Sequence, residues 1–256
     1  MVNQNNKNTF AENINLALHK SMLKDKNMIC YGLGINDPKA IFGTTLGLKK
    51  FGNKRVFDVP TSENALTGIA IGASLGGLKP LFVHQRLDFF LLAMDQLVNN
   101  ASKWYYMFGS QISVPITIRL IIGRGWGQGP THSQNLQSWF AHIPGLKVVM
   151  PSNPSDAKSL LISSIQDPNP VIFLEHRWLH NSHAKSKNIK KIKIGKAKKI
   201  NNGKDITIIA MSYMVLEAII AINELKKVNI SCDLIDLVTV KPIDWQLINK
   251  SIKKTK

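Results

Sequence analysis

The chain has 256 residues, of which 44% are hydrophobic and 19% charged, and this balance argues against a disordered chain. Its two cysteines, Cys30 and Cys232, lie far apart and neither belongs to a CxxC motif, which argues against a disulfide framework or a cysteine zinc site. No run of eighteen apolar residues is present and the start, Met1–Lys7, is polar, so we predict neither a membrane span nor a signal peptide. A cytoplasmic location is the default expectation.

The net charge of +17 raises the question of a nucleic-acid partner. Only five of the 33 basic residues are arginines, the side chains on which nucleic-acid readers usually depend. Eight lysines fall between residues 185 and 199, a stretch that we interpret as a solvated linker. The charge is therefore interpreted as a lysine-rich surface without a nucleic-acid partner, and a basic binding patch is the alternative.

Helical and strand patterns alternate along the first 183 residues. Helices are predicted at 9–24, 45–51, 63–75, 89–106, 134–142 and 155–166, and strands at 28–31, 55–59, 81–83, 114–121, 147–150 and 171–174. Strands that alternate with helices predict an α/β fold with a doubly wound, mostly parallel sheet and helices on both faces. We assign residues 1–183 to this first domain.

A smaller unit is predicted beyond the lysine-rich linker, which we place at 184–199. Within residues 200–256, strands are predicted at 205–211 and 230–235 and helices at 215–227 and 245–251. A unit of about 60 residues buries only a modest part of its surface. We therefore expect a partial second α/β domain that is incomplete or is stabilised by packing against a partner.

Two polar residues follow buried strands, where ligands collect in doubly wound sheets. Glu63, one of five glutamates, opens the Gly- and Ala-rich helix at 63–75. His132 lies in the glycine-dense loop at 123–133. Local spacing also explains Glu63 as a first-turn carboxylate that stabilises a helix dipole by about 0.3–1 kcal/mol, and His132 as an exposed loop residue. Phe89 begins a long helix, where an aromatic side chain is more often a core residue than a platform for a cofactor.

Several familiar catalytic motifs are absent from the sequence. There is no GxxxxGK[ST] phosphate loop, no HExxH and no GxSxG. The loop glycines do not form GxGxxG, because Gln128 occupies the third glycine position. His176 and His180 are four residues apart, but they follow a strand, which is weak support for a metal site.

Four blocks between residues 50 and 180 resemble the beta subunit of the thiamine-diphosphate-dependent 2-oxoacid dehydrogenases, the decarboxylating component of the pyruvate and branched-chain complexes. The blocks are RVFDVPTSENALTGIAIGASLGGLKPLFV, LLAMDQLVNNASKWYYMFG, VPITIRLIIGRGWGQGPTHSQ and HIPGLKVVMPSNPSDAKSLL, the last followed by DPNPVIFLEHR. They occur in the family's order and spacing. Residues 195–256 resemble the start of the family's C-terminal transketolase-type domain.

The resemblance implies that thiamine diphosphate is the cofactor and that this chain holds its aminopyrimidine ring. Glu63 matches the family's SE pair, in which a buried carboxyl bonds a ring nitrogen and promotes the imino tautomer. His132 matches the HSQ motif, whose histidine faces the thiazolium and the substrate. Gln85 and Phe89 match positions beside the pyrimidine. Glu63 and His132 are thus the expected catalytic residues, and Glu63, Gln85 and Phe89 the expected cofactor-binding residues.

The resemblance also implies cations and partners. A potassium ion is expected on backbone carbonyls at the positions matching Ile116, Ser164, Ile165, Asp167 and Asn169, since hard cations prefer oxygen ligands. The GDG motif that holds the diphosphate through Mg²⁺ in this class is missing from the sequence. An alpha subunit is therefore expected to hold Mg²⁺, in an α2β2 heterotetramer that passes acyl groups to a lipoyl-bearing acyltransferase.

Two departures from the family pattern keep alternatives open. Gly32-Leu33-Gly34 stands where the family usually carries an acidic residue, which puts the proton relay between its two active sites in question. The polar segment His84-Gln85-Arg86 stands where the pyruvate enzymes carry apolar residues, so a more polar or anionic substrate is conceivable. The alternatives are a thiamine-diphosphate carboligase or transketolase-type subunit, and a non-catalytic truncated remnant.

Overall fold

The computed structural model describes residues 7–185 and 192–255, and a seven-stranded sheet lies at its centre. In spatial order the strands are β12 (Thr239–Lys241), β6 (Lys147–Val149), β7 (Val171–His176), β5 (Thr117–Ile122), β4 (Lys79–His84), β2 (Met28–Gly32) and β3 (Val56–Phe57). All neighbours are parallel except β12 and β6, which are antiparallel. The predicted fold class is confirmed.

Helices cover both faces of this sheet, because strands buried on both sides need apolar cover on each. The α-helices of the first unit are α1 (Phe10–Lys24), α2 (Glu63–Leu75), α3 (Leu87–Phe90), α4 (Trp104–Met107), α5 (Gln137–His142) and α6 (Pro154–Ile165). A hydrophobic core lies on each face of the sheet, and alternate residues of β2 contribute to the two cores. Met28 and Cys30 pack on one face, and Ile29 and Tyr31 on the other. Among the described residues, no helix is both long and apolar enough to cross a membrane.

The smaller unit has its own sheet and two helices. Its strands lie in the order β10 (Ile206–Ala210), β11 (Cys232–Asp236) and β9 (Lys198–Asn201), and its helices are α7 (Met214–Lys227) and α8 (Trp245–Thr255). β9 begins inside the predicted linker, of which residues 186–191 lie outside the described residues. After β11 the chain crosses to the first sheet and adds β12 to the edge formed by β6. Near the other end of the chain, β1 (Lys7–Thr9) pairs with β8 (His183–Lys185).

The prediction of one continuous helix over 89–106 is wrong. The chain there forms α3, a 3₁₀ turn at Leu91–Ala93, a π turn at Gln96–Ala101 and then α4. Asparagine is a poor helix former, and the amides of Asn99 and Asn100 bond to the side chains one turn earlier. The helix predicted at 45–51 is a 3₁₀ turn at Leu48–Phe51.

A buried polar cluster joins the two units. Ser152 Oγ, which precedes α6, donates to Asp236 Oδ2 at the end of β11 over 2.5 Å. Asp156 on α6 forms an ion pair with Lys198 on β9. Burial raises the pKa of Asp236 to about 6, and repulsion from Asp156 acts in the same direction, while the Ser152 hydrogen bond and Lys198 oppose it.

Asp236 is therefore expected to make the stability of the chain depend on pH. Its carboxyl binds a proton more tightly in the folded state than in the unfolded state, whose pKa is about 3.9. Its contribution to stability is present at low pH and is lost as the pH rises through about 6. Urea unfolding at pH 5 and pH 7 should show that Asp236→Asn removes a pH-dependent difference of about 1 kcal/mol. Asp205→Asn, at an exposed site, should keep the wild-type dependence, and an unchanged slope in Asp236→Asn would contradict the assignment.

Candidate active site

The strand order creates a crevice between β2 and β4. From β2 the chain turns toward β3 at one edge of the sheet, whereas from β4 it turns toward β5 on the other side. The segments that follow the carboxyl ends of these two neighbours therefore diverge. Such switch points are where open α/β sheets bind ligands.

A small pocket of about 30 Å³ opens at this crevice, and three predicted cofactor-binding residues meet there. Glu63, Gln85 and Phe89 all line it, together with Leu33 from the segment after β2 and His84 at the end of β4. Typical ligand pockets measure about 300–1,000 Å³. The pocket of the single chain is therefore much smaller than a typical ligand site.

Glu63 reaches the pocket because β3 and α2 are joined by a tight turn. Pro60 and Ser62 separate the strand from the helix, and both line the pocket beside the glutamate. The Ser62 side chain makes no capping hydrogen bond, so the first turn of α2 stays open toward the pocket. Glu63 is half-buried in the single chain, and its burial against a bound cofactor stays a prediction.

Two polar side chains at the carboxyl end of β4, His84 and Gln85, form the opposite wall. Gln85 Nε2 donates to the Leu33 carbonyl over 3.0 Å, which ties the end of β4 to the segment after β2. His84 is buried, and its Nε2 has no hydrogen-bond partner among the described residues. Burial lowers the pKa of His84 to about 3, so its imidazole is neutral at physiological pH.

Gly34 is expected to control the position of Gln85. A Cβ at Gly34 would lie 2.4 Å from Gln85 Nε2, and the φ of +79° is strained for other residues. Gly34→Ala should push the Gln85 amide away from the pocket and weaken binding of thiamine diphosphate, the cofactor that the sequence resemblance implies, as measured by calorimetry on the assembled complex. Gly52→Ala is the matched control, since its φ is +87° and no atom lies within 4 Å of the added Cβ. Equal affinity in the two variants would contradict this role.

His132 lies beside the same pocket, across Phe89. The two rings meet edge to face with centroids 5.3 Å apart, so Phe89 contacts the pocket on one side and the histidine on the other. Trp126 Nε1 donates to the His132 carbonyl over 2.9 Å, and Thr131 Oγ1 lies 3.1 Å from His132 Nδ1. Nε2 is consequently the ring nitrogen available to a substrate.

Asp88 and Trp126 hold the histidine loop and were not identified from the sequence. Asp88 Oδ1 accepts hydrogen bonds from the Gln134 main-chain N–H at 3.2 Å and from its Nε2 at 2.9 Å. This pairing fixes the loop to α3, next to Phe89. The signal that could have revealed Asp88 is its position directly before a candidate cofactor residue.

The five residues predicted for potassium lie around one turn at the amino ends of β5 and β7, far from the crevice. The Ile116 carbonyl accepts from the Val171 N–H at 3.0 Å, and the Ser164 carbonyl accepts from the Asp167 N–H at 3.1 Å. The Asp167 carboxylate is paired with Lys147 at 2.7 Å. Within residues 7–185 and 192–255, no three acidic, histidine or cysteine side chains cluster in a way that could hold a metal.

Comparison with known protein families defines the class of this fold and site. Residues 6–181 match the model of the transketolase pyrimidine-binding domain, and residues 195–256 match that of the transketolase C-terminal domain. In solved structures, the chain resembles one titled "Split gene transketolase, inactive beta4 tetramer", with a TM-score of 0.82 over 97% of this chain and 76% of that one. The identity is 19%, so this likeness concerns the fold alone.

Curated relatives define the family more narrowly. The pyruvate dehydrogenase E1 component subunit beta of Rickettsia bellii is 39% identical over 249 residues, which are 96% of this chain and 77% of that protein. The mitochondrial counterpart from Bos taurus is 38% identical over 254 residues, 96% of this chain and 70% of that protein. The chain belongs to the family of pyruvate dehydrogenase E1 beta subunits, and the resemblance stated from its sequence is confirmed.

Proposed function

We propose that this chain supplies the pyrimidine-binding half of the cofactor site in a thiamine-diphosphate-dependent 2-oxoacid dehydrogenase. The reaction would be oxidative decarboxylation of a 2-oxoacid with acyl transfer to a lipoyl group. One observation carries the proposal: Glu63, Gln85 and Phe89 line one pocket at the switch point of the sheet, and His132 packs on Phe89.

The residues present fit the cofactor. The pocket combines a carboxyl, an amide, an exposed aromatic ring and His84 Nε2, which has no hydrogen-bond partner among the described residues. When bound, thiamine diphosphate supplies the carbon nucleophile that attacks the 2-oxo group. Glu63 would share a proton with a pyrimidine ring nitrogen, and Phe89 would pack on the ring. His132 would hold or release a proton at the substrate oxygen through Nε2, since Nδ1 faces Thr131.

The partners and cations follow from what this chain leaves open. A pocket of about 30 Å³ needs a second chain to complete it, which supports an alpha subunit that carries the diphosphate and Mg²⁺ in an α2β2 heterotetramer. A lipoyl-bearing acyltransferase would accept the acyl group, and the carbonyls of Ile116, Ser164, Ile165, Asp167 and Asn169 would hold potassium as a structural ion. The same proposal places one domain at residues 1–183, a linker at 184–199 and a second domain at 200–256, and a cytoplasmic location for the protein.

The proposal is tested by co-expressing the chain with a subunit that carries a GDG motif. We expect 2-oxoacid-dependent reduction of an artificial electron acceptor by the complex and none by the chain alone. Absence of both turnover and thiamine diphosphate binding in the complex would overturn the proposal. A steep salt dependence of affinity for DNA or RNA under those conditions would instead support a non-catalytic basic module.

A carboligase or ketol transferase is the second candidate. The polar segment at the end of β4 favours it, because His84 and Gln85 both line the pocket. The acceptor separates the two reactions. Turnover that depends on a lipoyl domain supports the dehydrogenase, whereas product formation from an aldehyde or a second 2-oxoacid without a lipoyl domain supports the carboligase.

A further inference from the structure

Three of the five arginines follow the carboxyl ends of neighbouring strands. Arg86 comes after β4, Arg124 after β5 and Arg177 directly after β7. The other two have structural partners: Arg55 donates to main-chain carbonyls, and Arg119 is paired with a buried carboxylate. A concentration of arginine at the edge that carries the candidate active site raises the local anion affinity.

Arg86 and Arg177 share one aromatic ring. The guanidinium carbon of Arg177 lies 4.4 Å from the centre of the Phe42 ring, and that of Arg86 lies 5.5 Å from it. Arg86 also lies 4.5 Å from the Trp126 ring. Burial lowers the pKa of Arg86 and repulsion from Arg177 lowers it further, while attraction to Asp88 opposes both. The aromatic faces stabilise the two cations without neutralising them.

Neither arginine forms an ion pair within the part of the chain that the structure describes. Asp88 raises the pKa of Arg86 and Glu175 raises that of Arg177 from beyond ion-pair distance, and Arg177 donates no hydrogen bond to any described residue. Arg86 donates only to the Gln85 carbonyl and to Gln128 Oε1. The nearby Asp88 already accepts two hydrogen bonds from Gln134. Two adjacent cations with unused donors fit an anion.

The shared ring is carried by a strained turn. Ala40, Ile41 and Phe42 have φ values of 45°, 45° and 59°, so three consecutive residues other than glycine adopt the left-handed conformation. Hydrogen bonds hold the turn, from Thr44 Oγ1 to the Ile41 carbonyl at 2.8 Å and from Thr45 to the segment after β2. Backbone strain of this kind is concentrated at ligand sites, where the surrounding structure enforces it.

The arginine pair is also connected to the candidate catalytic histidine. Trp126, which stacks on Arg86, donates its indole N–H to the His132 carbonyl. We propose that Arg86 and Arg177, on the Phe42 ring, form a subsite for a second anionic group of the substrate. The preferred substrate is then a 2-oxoacid with a carboxylate or phosphate at its far end. The identity of the substrate rests on the proposed function; the anion site does not.

The specificity test compares substrates of equal length in the assembled complex. We expect a higher kcat/KM for 2-oxoglutarate than for 2-oxopentanoate, and Arg177→Gln should lower this ratio about tenfold or more, through the KM of the dicarboxylate. Arg177→Lys should retain part of the preference. Lys50→Gln, which removes a cation from the Phe51 ring elsewhere, should leave the ratio unchanged. The kcat/KM of phosphonopyruvate, compared with that of 2-oxobutyrate, tests a phosphonate as the phosphate-like group in place of the far carboxylate. A wild-type preference for both monoanions overturns the proposed substrate class.

The binding test uses the full chain without cofactor. Malonate or inorganic phosphate at constant ionic strength should change tryptophan fluorescence saturably, and Trp126→Phe should remove the signal. Arg86→Gln and Arg177→Gln should weaken binding about tenfold or more, whereas Lys50→Gln should not. A non-saturable change, or one equalled by chloride, overturns the subsite. Saturable binding in a complex that turns over no 2-oxoacid upholds the anion site and overturns the proposed function.

Discussion

Glu63→Gln is expected to reduce 2-oxoacid turnover of the assembled complex by about 10²–10⁴-fold, the range in which a positioned acid–base group contributes. The amide keeps the shape of the side chain but cannot share a carboxyl proton with the pyrimidine. Glu63 is the only carboxylate among the described residues that line the pocket, so no neighbour replaces it. Initial rates at saturating cofactor measure the effect.

The same substitution should hardly change stability. Glu63 is half-buried in the first turn of α2, where a carboxylate stabilises the helix by about 0.3–1 kcal/mol. Glu217→Gln is a matched control, because Glu217 lies in the first turn of α7 and does not line the pocket. Full activity in Glu63→Gln, or an equal loss in Glu217→Gln, would show that Glu63 acts only as a helix-stabilising charge.

Removal of Arg119 is expected to have the largest effect on stability. Arg119 on β5 and Glu175 on β7 are completely buried, and Nη2 lies 2.5 Å from Oε1. Breaking such a pair leaves an uncompensated buried charge, which costs about 3–5 kcal/mol. Urea unfolding of Arg119→Met should show a loss of this size, whereas Glu224→Gln, which breaks an exposed pair with Lys227, should change stability by less than about 1 kcal/mol.

The double variant separates the charge effect from a packing effect. Replacement of both partners by apolar residues, Arg119→Met with Glu175→Leu, removes the charge that the single variant leaves unpaired. Such replacements are often neutral or stabilising. We therefore expect the double variant to be more stable than Arg119→Met alone. A loss of stability in the double variant equal to the sum of both single losses would show that altered packing, rather than an unpaired charge, causes the destabilisation.

Local patterns predict most of the sheet but not the order of its strands. Apolar runs identified β2, β4, β5, β6 and β7, because buried parallel strands are continuous apolar segments. β9 and β12 were missed: each is three or four residues long, and lysines at 198, 199 and 241 interrupt the apolar pattern. Propensity also failed at 89–106, where side-chain bonds of two asparagines accompany a π turn.

The candidate site was assembled from family resemblance more than from spacing. Spacing left Glu63 and His132 open to ordinary structural roles, because the crevice depends on which strands are neighbours. The roles of Asp88 and Trp126 depend on contacts across 46 and 6 residues of sequence, respectively, which no local pattern reveals. The left-handed turn at Ala40–Phe42 contains no glycine or asparagine, the residues that would predict such a turn from the sequence.

The pairing of β12 with β6, by which the smaller unit adds a strand to the first sheet, has a consequence for fragments of the chain. A fragment that ends at residue 183 would lose the strand that covers β6, and its bare edge would be a template for pairing with other molecules. Such a fragment should aggregate, although its own sheet is otherwise complete. Because β12 ties both units to one sheet, chemical denaturation of the intact chain should give a single cooperative transition rather than two.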